Sequence, residues 1–102
     1  MRRLTMVILF ALFSSLGWAV EGPSLEVGKT LFESTSLGSN GNSCATCHPG
    51  GKGLAEVTAY DDSMLKEMIN FCIRDALKGT MLTPEAQELE ALLRYIRNLS
   101  KP

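Results

Sequence analysis

Histidine and cysteine are scarce in this chain, one and three in 102 residues, and charge is nearly balanced at −1. With one imidazole, His48, and few thiols, a zinc centre of four protein ligands has little to draw on. No run of like charge occurs, so nothing resembles the electrostatic footprint of a nucleic-acid binder. There is no internal repeat and no low-complexity tract. No segment alternates apolar and polar residues as a half-buried strand would, which leaves an all-α domain. The apolar run at residues 6–13 is shorter than the roughly 20 residues of a membrane-spanning helix.

That run follows Arg2 and Arg3 and precedes Gly17-Trp18-Ala19, with small residues at 17 and 19. The pattern is that of a secretory leader over residues 1–19, cleaved after Ala19. Two arginines and a short apolar core fit a bacterial protein exported to the periplasm or beyond. Residues 20–102 then carry eight basic and eleven acidic side chains, a net charge of about −3. A domain of this size has a marginal core, which a covalent staple or a cofactor would reinforce.

Three helices are expected. The first covers Leu25–Glu33, with Ser24 as its cap. Residues 34–43 are rich in Gly, Ser and Asn and read as a loop, as do residues 49–53. The second helix runs over about residues 63–78, capped by Asp61, Asp62 or Ser63 and ended by Gly79. Its apolar positions, Met64, Leu65, Met68, Ile69, Cys72, Ile73, Ala76 and Leu77, recur at helical spacing. The third is capped by Thr83, with Pro84 and Glu85 in its first turn, and carries a stripe of Leu89, Leu92, Leu93, Ile96 and Leu99.

Two of the three cysteines and the histidine fall together in Cys44-Ala45-Thr46-Cys47-His48. The spacing C-x-x-C-H is the signature of c-type haem attachment. The two thiols become thioethers on the haem vinyl groups, and His48 supplies a nitrogen to iron from one face. A haem so attached is the covalent staple that the small core calls for. A zinc site, a redox-active dithiol and a structural disulfide are the competing readings. The cluster offers zinc only three ligands, and a dithiol of that kind usually opens a helix after a strand.

Three stretches carry a family resemblance: Gly28-Lys29-Thr30-Leu31-Phe32, the motif CATCH, and Leu92-Leu93-Arg94-Tyr95-Ile96. With them, residues 20–102 resemble a small monohaem class I cytochrome c. The resemblance implies a cytochrome c-like fold, three main helices around one covalent haem c. It also implies that the first and last helices cross beside the haem, with Gly28 and Phe32 meeting Leu92 and Tyr95. The segment LFESTSLGSNGNSCATCHPG is similar to the first haem region of bacterial dihaem peroxidases. Those enzymes need a second haem, and this chain has one C-x-x-C-H.

For the second axial position there are two candidates. Met81 lies just before the last helix, where class I cytochromes place a methionine ligand. Cys72 lies in MINFCIRDALKGTMLTPEAQELEALLRYI, which resembles the cytochrome domains of SoxA and thiosulfate dehydrogenase. Those families carry an iron-binding cysteine at this position, and Arg74 matches a basic residue two further on. Each candidate also has an ordinary reading, as a buried small residue or an apolar filler. The resemblance implies a periplasmic carrier of single electrons that meets redox protein partners and does not span the membrane once the leader is removed. The alternative is a haem subunit or enzyme acting on thiosulfate or related sulfur compounds, with Cys72 on iron. A haem-based gas sensor is a third reading, for an open sixth position.

Overall fold

The computed structural model describes residues 24–101. The expected leader, residues 1–19, lies outside them. The elements in chain order are α1 (Leu25–Glu33), α2 (Cys44–Cys47), 3₁₀ turns at Pro49–Gly51 and Ala55–Ala59, α3 (Asp62–Phe71), a π turn at Cys72–Ala76, and α4 (Gln87–Leu99). Among the described residues there is no strand, and the fold is all-α. None of these helices is long and apolar enough to cross a membrane.

Local chemistry starts three of the four α-helices. The Ser24 hydroxyl accepts from Val27 N at 3.0 Å, and an Asp61 carboxylate oxygen accepts from Met64 N at 2.8 Å. Ser43 and Thr46 form a reciprocal capping box on α2: Thr46 N donates to Ser43 Oγ, and Ser43 N donates to Thr46 Oγ1. Only α4 departs from this scheme. Its cap is Ala86, with no side-chain bond, so the expected start at Thr83 is three residues too early. Ala86 N bonds the Thr83 carbonyl at 3.0 Å, so the chain makes a turn before the helix. Asn70 fixes the approach to that turn. Its amide donates to the Leu82 carbonyl and accepts from Leu82 N, both at 2.8 Å.

The crossing of α1 over α4 is the closest packing in the core. A β-carbon on Gly28 would fall onto the Ala91 carbonyl oxygen and 2.6 Å from Tyr95 Cβ. One turn along, Phe32 meets Tyr95 edge to face, with ring centroids 5.3 Å apart. Beneath them Leu89, Leu92, Leu93 and Ile96 of α4 are buried.

Residues of α3 and the π turn divide into two rows four residues apart. Leu65, Ile69, Ile73 and Leu77 are buried in the core. Met68, Cys72 and Ala76 belong to the second row, which faces a cavity. The helix was expected to stay α-helical to Lys78. Instead Leu77 N donates to the Cys72 carbonyl, five residues back, at 3.1 Å. The left-handed residue that ends the segment is Lys78, with φ 58°, in place of Gly79.

Arg97 of α4 ties down the chain between α2 and α3. Its guanidinium donates to the Val57 and Tyr60 carbonyls at 3.2 and 2.7 Å and pairs with Asp62 at 2.8 Å. Ser100 Oγ donates to the Leu54 carbonyl at 3.1 Å. These bonds hold Leu54 and Val57 against the same cavity that the second row of α3 faces.

Candidate functional site

α2 is a single turn, so Cys44 and Cys47, three residues apart, project from one side of it. Both line a cavity of about 170 Å³, together with His48. The opposite wall comes from Met68, Cys72 and Ala76, and the floor from Leu65, Ile69 and Ile96. Apart from the thiols, the imidazole and Ser43, the lining side chains are apolar. Cys47 and Cys72 remain exposed, so the cavity opens to solvent at the edge where these two thiols stand.

His48 is held from behind. Its Nδ1 lies 2.9 Å from the Lys52 carbonyl oxygen. A carbonyl only accepts, so Nδ1 carries the hydrogen in that bond and Nε2 keeps its lone pair. Such a backing bond is the usual orienting device for a metal-bound imidazole. The chain reaches Lys52 by wrapping tightly. Gly50 and Gly51 have φ values of 62° and 85°, a left-handed conformation that favours glycine.

Burial pushes the Cys44 thiol up to about 11, with the neighbouring Cys72 and Cys47 adding to the effect. Cys72 is raised as well, first by the desolvating cavity wall and then by Cys47 and Asp75. The three cysteines are free thiols, close enough to disfavour one another's ionisation. Two sulfurs on one wall can carry a group covalently, the His48 nitrogen can bind a metal within that group, and a third sulfur stands across from them.

The structure therefore brings Cys44, Cys47, His48 and Cys72 to one cavity. Met81 is exposed and is not part of the lining. Arg74 lies outside the cavity too. It forms a two-pronged pair with Asp75, at 2.7 and 2.9 Å, and its guanidinium stacks 5.1 Å above the Phe71 ring. Several contributors escaped the sequence reading. The Lys52 carbonyl is a backbone atom with no sequence signature. Leu54 and Val57 sit in a short 3₁₀ segment without periodicity. The Ser43–Thr46 capping box was legible as Ser three residues before Thr, both short hydroxyl side chains.

Among the described residues, no group of three or more His, Cys, Asp or Glu side chains could by itself hold a metal ion. Compared with known proteins, the chain matches no family model, no curated protein and no solved structure.

Proposed function

We propose that residues 20–102 form a monohaem c-type cytochrome domain, with a cytochrome c-like fold, that carries single electrons outside the cytoplasm after export by the leader at residues 1–19. The observation that carries this reading is the assembly of Cys44, Cys47 and His48 on one apolar cavity, with His48 Nδ1 bonded to the Lys52 carbonyl. The donor set fits haem c. Cys44 and Cys47 would hold it through two thioethers, and His48 Nε2 would bind its iron. When bound, haem supplies a one-electron iron couple. The chain's own part is to orient the imidazole through Lys52 and to keep water from the iron with the side chains of Leu65, Ile69 and Ile96. A zinc site is disfavoured by the lack of a sufficient ligand cluster.

For the second axial position we favour Cys72, because it already lines the cavity while Met81 stands outside it. A thiolate there gives a lower potential than a thioether. Redox partners would meet the open edge, beside which Met64, Met68 and Phe71 are exposed. The second reading, a haem enzyme or subunit acting on sulfur compounds, is favoured by the exposure of Cys72. It is weakened at Arg74, whose charge is engaged by Asp75 instead of being free for an anion.

Low-temperature electron paramagnetic resonance of the oxidised, matured protein tests the proposal. Cys72→Ala should change the spectrum and raise the potential, and Met81→Ala should leave both alone. The reverse outcome assigns the iron to Met81. Reduction of the haem by thiosulfate alone would favour the enzyme. Protein matured in a competent host that is colourless, with the mass of the polypeptide only, would end the haem reading.

A further inference from the structure

Two elements far apart in sequence bear on the orientation of Cys72. The first is the π turn itself. A five-residue turn is rare and usually marks a functional position, and it persists where surrounding contacts over-determine it. The second is the loop at residues 34–43, which lies along the end of that turn. Asn40 Nδ2 donates to the Ala76 carbonyl at 2.9 Å. Ser39 N donates to the Leu77 carbonyl at 2.9 Å, and Ser39 Oγ to the Lys78 carbonyl at 2.7 Å. These three carbonyls belong to the last turn, where the helix has no amide of its own to offer. The two backbones touch: a β-carbon on Gly38 would overlap the Leu77 carbonyl, and one on Gly79 the Leu37 carbonyl.

Asn40 does more than cap. Its Oδ1 accepts from Asn42 N at 3.1 Å, two residues before Cys44. A single amide thus joins the chain entering the C-x-x-C-H turn to the segment that begins with Cys72. We infer that Asn40 is a positioning residue, whose amide bridge between Asn42 and Ala76 fixes the π turn and so holds the Cys72 sulfur in the cavity opposite Cys44, Cys47 and His48. The inference rests on the proposal that Cys72 binds the iron of an attached haem. Asn40 touches neither the cavity nor the metal, and its effect passes through the backbone of residues 72–77.

Asn40→Asp tests the bridge with little change of shape. It keeps the oxygen that accepts from Asn42 and replaces the donor facing Ala76 with a second oxygen. In the full-length protein, matured with haem, amide exchange at Leu77 should become about five-fold faster, the factor that one net hydrogen bond is worth. The oxidised paramagnetic resonance spectrum should broaden or split, and the potential should move in the direction that Cys72→Ala moves it. Ser39→Ala, which removes one bond of the same clamp, should produce a smaller change of the same kind and serves if the Asn40 variant does not mature. A lowered melting temperature with wild-type spectrum, potential and Leu77 exchange makes Asn40 merely structural and overturns the inference. If Cys72→Ala alters the spectrum while Asn40→Asp does not, the ligand assignment stands and the bridge falls. If Cys72→Ala leaves the spectrum unchanged, the ligand assignment itself falls and the inference with it.

Discussion

Replacing Gly28 by alanine places a methyl group where α1 and α4 leave no room. The added carbon would meet the Ala91 carbonyl oxygen and lie 2.6 Å from Tyr95 Cβ. Both obstacles are rigid parts of a helix, so neither can swing aside as the tip of a long side chain can. Alanine favours the helix over glycine by about 1 kcal/mol. Overpacking costs about 1 to 3 kcal/mol, and here the upper end applies because relief requires the helices to separate. Separation also loosens the Phe32–Tyr95 pair, at a further cost of about 1 kcal/mol. The net is a loss of about 2 to 3 kcal/mol, which for a domain of this size lowers the melting temperature by roughly 10 to 20 °C. Thermal unfolding of the matured protein, followed by far-ultraviolet circular dichroism, measures it. Ala91→Gly should not rescue the variant, because the clash is with the carbonyl oxygen. A melting temperature within two or three degrees of wild type, about the scatter of a neutral surface change, would refute the close crossing.

Other expectations concern the helix ends and the ion pairs. Lys78 holds a left-handed φ of 58°, so Lys78→Gly should stabilise the protein by about 1 kcal/mol, read as a higher denaturant midpoint with unchanged slope. Arg97→Ala removes three contacts that anchor residues 57–62 and should cost about 2 kcal/mol in the same experiment. The bond from Lys66 at 2.8 Å is the first cause of the lowered Glu90 pKa, and Arg94 adds to it. A depressed carboxyl contributes stability that is present above its unfolded value, about 4.3, and lost as the pH falls through the folded value. Glu90→Gln should therefore be less stable than wild type at pH 7, with the difference closing below about pH 4. Unfolding midpoints across that range decide it.

The sequence carried some of this architecture openly and hid the rest for identifiable reasons. α1 was legible to the residue because its start and its apolar positions are local: Ser24 caps it and Phe32 closes its buried side. α3 was legible as far as Phe71. Beyond that point the apolar spacing at Cys72, Ile73, Ala76 and Leu77 is the same for an α-turn and a π turn. What separates the two is contact with Ser39 and Asn40, more than 30 residues earlier, and no local pattern encodes it. α4 misled at its start because Thr83-Pro84 is a strong local signal. The two bonds from Asn70 to Leu82 set the direction of the chain before that signal can act.

The candidate site divides along the same line. Cys44, Cys47 and His48 were legible because one helical turn and its next residue set their spacing, whatever the rest of the chain does. The opposite wall depends on two long-range ties that act differently on the two candidates. Asn70 pins Leu82, the neighbour of Met81, to α3, and Met81 is left exposed outside the cavity. Drawing the backbone of Met81 inward would strain both bonds, each worth about 1 kcal/mol net. Asn40 holds the segment that starts at Cys72, and that residue lines the cavity as folded. The preference for a sulfur from α3 over one from the following loop thus follows from which carbonyls and amides the two asparagines bind. Neither choice can be read from the identity of Cys72 or Met81 alone.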